Sequence, residues 1–174
     1  LLDVLARLRQ ALDLDLVAHG VDHGLRAEAG VELDLARALA ASHGVPFATT
    51  RLSVARGSNL QARARVARLE ALRGAARRHG AAVVATAHHA DDRAETVLIR
   101  LLRGSGPRGL AALPPRAGDL VRPLIRARRE AIHAHLSRHG IPFAADPSNA
   151  DPRFLRVRVR RDLLCPVRQR DRAD

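Results

Sequence analysis

The sequence predicts an α/β domain built around a parallel sheet. Short apolar runs of strand length alternate with segments of helical period through the first hundred residues. Each run gives way to a polar stretch, as expected where strand ends gather at one edge of a sheet and a ligand binds there. The 174 residues are 47% hydrophobic but include three Phe and no Tyr or Trp, so the core covering this sheet is aliphatic.

The elements follow in order. Leu1, Leu2, Leu5, Leu8 and Leu12 recur at helical spacing with no capping residue ahead of them. Leu14–Ala18 is an apolar run of the buried-strand type, and His19–Glu28 reads as the loop after it. Ala29–His43 is predicted as a helix with Val31, Leu35, Ala38 and Leu39 inward and Gly44 as its stop. Val45–Leu52 is the second strand. Gly57 and Ser58 lead into a long helix from Asn59 to about His79, with Leu60, Ala64, Ala67 and Ala71 on one stripe. Ala81–Ala87 is the third strand, Ala90–Arg103 the next helix, and Gly104–Gly109 a glycine-rich turn. From Pro114 onward prolines divide the chain into short elements. Arg128–His139 is one more amphipathic helix, with Ile132 and Leu136 inward, and Asp151–Leu164 reads as an Arg-rich helix. The expected organisation is an α/β domain over residues 1–122 and a small helical, Arg-rich extension over 123–174.

Composition excludes several classes. No apolar run approaches 18 residues, so no membrane span is predicted. Asp3, Arg7, Arg9, Asp13 and Asp15 break any signal-peptide centre. Cys165 is the single cysteine, which excludes an internal disulfide, a CxxC pair and a cysteine-ligated cluster; a reducing cytoplasm is expected. The absence of methionine leads us to expect a piece of a longer protein. The net charge of +12 comes entirely from arginine among the basic residues and is uneven: the first 50 residues carry four Arg against seven acids, the next 50 ten against four. That field points to a polyanion, nucleic acid first, and scarce aromatics favour phosphate contacts on folded RNA over stacking of single-stranded bases. A solvated Arg-rich surface set by genomic base composition is the alternative.

Five segments can carry chemistry. In His88-His89-Ala90-Asp91-Asp92-Arg93-Ala94-Glu95-Thr96, a strand gives way to a helix. On a helix His88 and Asp92 are at i,i+4 and Asp92 and Glu95 at i,i+3, so they share a face. They could ligate Mg²⁺ or Zn²⁺, grip an ammonium group or take a proton, or satisfy the positive end of a helix. Val21-Asp22-His23-Gly24-Leu25-Arg26 could hold a nucleotide or be a polar turn. Gly104-Ser105-Gly106-Pro107-Arg108-Gly109 could cradle phosphate with its amides and Arg108, though it matches neither GxxxxGK[ST] nor GxGxxG. Arg65 and Arg68 share a helix face, with Arg63 nearby. The Asp146–Asp151 turn precedes Arg153, Arg156, Arg158, Arg160 and Arg161, a run suited to phosphates or to solvent.

Taken together these segments resemble the tRNA(Ile)-lysidine synthases of the N-type ATP-pyrophosphatase group. The resemblance rests on VDHGLR (21–26), NLQARARVARL (59–69), ATAHHADDRAETVLIRLLRGSGPRGLAAL (85–113), RPLIRARREAIHAHLSRHGIPFAADPSNADPRFLR (122–156) and RVRRDLL (158–164). It implies a Rossmann-like sheet of the adenine nucleotide alpha hydrolase type. It implies an ATP- and Mg²⁺-dependent enzyme that adenylates C2 of the wobble cytidine in tRNA(Ile) with a CAU anticodon and releases pyrophosphate. The ε-amino group of free L-lysine then displaces AMP. By matching position, Asp92 and Glu95 are candidates to hold lysine and, with Arg65, to act in catalysis. His23, Arg26, Arg65 and His88 are candidates for ATP, and Arg108, Arg156 and Arg158 for tRNA. No metal ligand is assigned. The resemblance extends to homodimers. The family's SGGxDS loop and the strand before it are absent, so this stretch alone is expected to be inactive; Gln61, Leu69 and Val157 are smaller departures. Another PP-loop tRNA modifier, such as a 2-thiocytidine synthase, and a non-enzymatic tRNA-binding remnant are the alternatives; the single cysteine disfavours the former.

Overall fold

The computed structural model describes residues 1–22, 29–53, 57, 60–144 and 151–164. The chain forms two compact units. The first comprises Leu1–Ala85 with His139–Ala144, and the second Thr86–Arg138 with the described part of residues 145–174.

In the first unit, α1 (Leu2–Leu8) is followed by β1 (Ala18–Asp22), α2 (Ala29–Ser42), β2 (Phe47–Arg51), α3 (Leu60–Arg78) and β3 (Val84–Ala85). β1 and β2 pair in parallel, from Ala18 opposite Phe47 to Asp22 opposite Arg51. A parallel pair requires a crossover, and α2 supplies it. The core joins Ala6, Ala40 and Val45 to Leu2, Leu16, Ala18 and Phe47. The core expected to be wholly aliphatic takes in one aromatic, Phe47, packed against these small side chains. Asp3 is buried at the edge of this core. Its Oδ2 accepts from Arg7 Nε at 2.8 Å, and His43 Nε2 lies 2.8 Å from its Oδ1. The charge is thus paired, and α1 is tied to the end of α2.

Three expectations change in this unit. The first strand is Ala18–Asp22 and not Leu14–Ala18. The ladder begins where Ala18 N–H donates to Pro46 O (2.8 Å), while Leu16 packs on the core from outside it. The apolar run marked burial, whereas pairing with β2 decided the strand, which takes His19–Asp22 out of the expected loop. The third strand is only Val84–Ala85. On α2, Leu35 and Leu39 are half-buried as expected, but Val31 is 63% exposed and Ala38 is also exposed. Leu33, Ala36 and Ala40 turn inward instead, because β1 presents Gly20 and the Leu33 δ-methyl fills the space a Cβ would take. The expected stripe on α3 holds: Leu60, Ala64, Ala67 and Ala71 are half-buried and Ala75 is buried.

The second unit contains α4 (Ala90–Leu102), α5 (Pro107–Leu110), the short strands β4 (Arg116–Ala117) and β5 (Leu120–Val121), α6 (Arg129–Arg138) and α7 (Leu155–Arg158), which runs into a π-helical segment, Val159–Leu164. β4 and β5 form an antiparallel pair with Arg116 opposite Val121. Ala112, Leu113, Leu120, Ile125 and Val159 are its buried apolar residues. Thr86 N–H donates to Val121 O (3.0 Å) and Ala90 N–H to Ala127 O (2.9 Å), which fixes where the chain enters α4. Ile132 and Leu136 are half-buried on α6, as their spacing predicts.

Two expectations change here as well. Part of the Gly104–Gly109 turn is helical, because Pro107 starts α5 with its φ preset and no amide to satisfy. The expected helix Asp151–Leu164 begins only at Leu155. Asp151 holds a turn ahead of it, accepting from Arg153 N–H at 2.9 Å and from the Arg153 guanidinium, while Phe154 N–H donates to Asp151 O (3.2 Å).

Candidate active site

The chemistry gathers at the start of α4. His89 is the N-cap residue, with an extended backbone, and its N–H donates to Asp92 Oδ2 at 3.0 Å. This bond starts the helix at Ala90, as the acid in a capping box does. It also overturns one expectation: His88 precedes the helix and shares no helical face with Asp92. His88 Nδ1 lies 2.9 Å from Thr86 Oγ1. Thr96 Oγ1 donates to Asp92 O at 2.6 Å, so Asp92 is fixed at both backbone and side chain.

Asp91 turns the other way. It is buried, and its Oδ2 accepts from Arg129 N–H at 2.8 Å, which satisfies an amide at the start of α6. His89 Nδ1 lies 3.5 Å from the same oxygen.

Asp92 and Glu95 do share a face, as their i,i+3 spacing predicts, and arginines from the C-terminal segment meet them there. Glu95 has no solvent exposure. Its Oε2 accepts from Arg156 Nε at 2.5 Å and its Oε1 from Arg160 Nε at 2.6 Å. Arg156 Nη2 also lies 3.3 Å from Asp92 Oδ1. Hydrogen bonding to Glu95 raises the Arg160 guanidinium pKa above its usual value, with the charges of Glu95, Asp92 and Asp91 adding to it against the cost of burial. A carboxylate buried this deeply persists as a charge only when paired and hydrogen-bonded, and two guanidiniums supply both.

Arg65 is exposed on α3, in the first unit. Its neighbour Arg68 has its guanidinium pKa pushed down, first by desolvation and then by the charge of Arg65. The two stand at i,i+3 on one face of α3, a spacing that suits an anion. Arg108 is exposed on α5 and Arg158 on α7. His23 and Arg26 lie outside the described residues, as does Cys165. Among the described residues, no group of three or more His, Cys, Asp or Glu side chains is arranged to hold a metal ion. No helix among them is long and apolar enough to cross a membrane.

Sequence reasoning named Arg160 only within an Arg run and Asp91 only within the segment 88–96, and gave neither a part in this cluster. Arg160 stands four residues after Arg156, a spacing that puts both on one side of a helix and could have flagged the pair. Asp91 gave no local signal, since its partner is Arg129, 38 positions away.

The chain is 49% identical over 162 residues to a tRNA(Ile)-lysidine synthase of Rhodopseudomonas palustris, covering 89% of this chain and 47% of that protein. It is 44% identical over 160 residues to the tRNA(Ile)-lysidine synthase of Novosphingobium aromaticivorans, covering 88% and 49%. The chain therefore spans about half the length of these curated relatives. Among solved structures, the U34-tRNA thiolase NcsA from Methanococcus maripaludis with its 4Fe–4S cluster has the same fold, with a TM-score of 0.68 at 18% identity over 84% of this chain and 55% of that one. A family model for the PP-loop domain matches residues 1–167, nearly the whole sequence, and the chain belongs to that family.

Proposed function

We propose that this chain is catalytic-domain sequence of a tRNA(Ile)-lysidine synthase, which joins lysine to C2 of the wobble cytidine of tRNA(Ile) through an adenylated tRNA intermediate. One observation carries the reading: Asp92 and Glu95 stand on one face at the start of α4, within reach of an arginine from the C-terminal segment. The reaction needs a site for a cationic amino acid beside sites for a triphosphate and a polyanion, and this arrangement puts both signs of charge in one place. The similarity to tRNA(Ile)-lysidine synthases over most of the chain supports it.

Bound ATP supplies the adenylyl group that activates the cytidine. Arg65 and Arg68, exposed at i,i+3 on one face of α3, suit its phosphates. His88, whose Nδ1 lies 2.9 Å from Thr86 Oγ1, is a further candidate for the nucleotide. Asp92, with 19% of its side chain exposed, can meet the ε-ammonium of lysine from solvent; Glu95, fully buried, adds charge behind it. A carboxylate holding the ammonium can also take its proton, which the amine must lose to attack C2. Arg108, Arg156 and Arg158 are the candidates for tRNA phosphates. The residues described here include no carboxylate cluster that fits Mg²⁺.

The test is Asp92→Asn in the full-length protein, assayed by incorporation of labelled lysine into a tRNA(Ile) transcript with ATP. The KM for lysine should rise at least tenfold, as roughly expected for loss of a charged hydrogen bond, while the KM for ATP stays within about twofold. An unchanged lysine dependence removes Asp92 from the amino-acid site.

A further inference from the structure

The two arginines on Glu95 are not equivalent. Arg160 reaches Oε1 alone, and 24% of its side chain is exposed. Arg156 bridges Glu95 Oε2 and Asp92 Oδ1, and 40% of its side chain is exposed. Arg160 is therefore the inner partner, and Arg156 the outer one that an anion in solvent can reach. A carboxylate has about four acceptor positions, so two guanidinium bonds leave Glu95 with capacity to accept more. It has no solvent exposure, and of the two side chains bonded to it Arg156 is the more exposed. Moving Arg156 away would open Asp92 and Glu95 together and leave a buried carboxylate short of one cation. A primary ammonium group would restore that balance.

We propose that Arg160 is a positioning residue that fixes the Glu95 carboxylate, and that Arg156 is exchangeable: RNA phosphate draws it off Asp92 and Glu95, and the ammonium group of the amino acid takes its place. This deepens the reading of Asp92 and Glu95 as the lysine site and rests on it. RNA binding and lysine binding are then positively coupled, and each strengthens the other by the same factor. The swap exchanges one cation for another at the carboxylates, and Arg160 keeps Glu95 paired while it takes place.

The test is calorimetric titration of L-lysine into the protein, alone and saturated with an unmodified tRNA(Ile) transcript, without ATP so that nothing turns over. Lysine affinity should rise at least about fivefold with the transcript bound, the lower end of typical coupling between sites. In Arg156→Gln the transcript should no longer change lysine affinity, and the variant without RNA should bind lysine as the wild type does with it. In Arg160→Gln lysine binding should weaken with and without RNA while the coupling persists, and Arg160→Lys should recover part of the loss. Equal lysine affinity of the wild type with and without RNA overturns the exchange and leaves the lysine site standing. Absence of lysine binding in both states overturns the site itself, and the exchange with it. The wild-type comparison decides the matter even if a variant fails to fold.

Discussion

His19 carries a pH dependence that can be read from its surroundings. It sits on β1 with Nε2 2.9 Å from Thr50 Oγ1. Desolvation, followed by the nearby charges of Arg78 and His79, holds its pKa below the usual 6.5. The sign follows directly. With the folded pKa lowered, the unfolded chain takes up a proton first as pH falls through 6.5. His19 therefore contributes full stability above that pH and loses it between 6.5 and its own lower pKa. In urea titrations, the wild type should lose more stability from pH 7 to pH 5 than His19→Gln does; equal losses would show that the environment of His19 does not favour the neutral ring. Glu95 shows how much of a site can be read at this scale. Its spacing from Asp92 was legible because i,i+3 is a local relation. Its burial and its hold on Arg156 and Arg160 were not, since those partners stand 61 and 65 positions away and no periodicity reports them.

Elements were legible to the degree that their pattern is local. The long helices α3 and α4 fall within a residue of their expected bounds, because stripes and stops are written into the sequence. Strands were displaced. Leu14–Ala18 looks more like a strand than Ala18–Asp22 does, yet register with Phe47–Arg51 selects the latter. The same contact chose the inward face of α2. A Cβ at Gly20 would collide with the Leu33 δ-methyl and stand 3.2 Å from Phe47 Cζ and 3.5 Å from Thr49 Cγ2. The backbone of β1 thus approaches α2 at the one residue without a side chain. Gly20→Ala should be mild, since the end of Leu33 can turn aside. Gly20→Val adds a branched group against both Leu33 and Phe47 and should cost about 1–3 kcal/mol, the usual range for overpacking. Urea unfolding of the two variants checks this; equal stability of Gly20→Val and wild type would mean that the helix can retreat from the strand.

At the scale of the whole molecule the excess of arginine over acids is the dominant feature. The first unit carries twelve Arg against eight acids and the second eighteen against ten. Several arginines already have carboxylate partners at the surface, among them Arg153 on Asp151 and Arg161 on Asp162. Exposed pairs of this kind are weakly held and screened by salt, so phosphates can compete for them. Aromatic stacking cannot substitute for this charge: of three Phe, Phe47 packs in the core beneath Arg37. RNA affinity should therefore be mostly electrostatic. Each phosphate neutralised contributes a slope of roughly −0.7 to −0.9 in log affinity against log salt, so about five contacts give a slope near −4. Arg108→Ala and Arg158→Ala remove two exposed candidates on separate elements, and each should reduce the slope by about one while leaving thermal stability unchanged. Filter binding of a tRNA(Ile) transcript across a series of salt concentrations measures all of this. A slope near zero would mean that the arginines serve solubility alone. A steep slope unaltered by either substitution would place the phosphate contacts on other arginines, with those beyond residue 164 the next to replace.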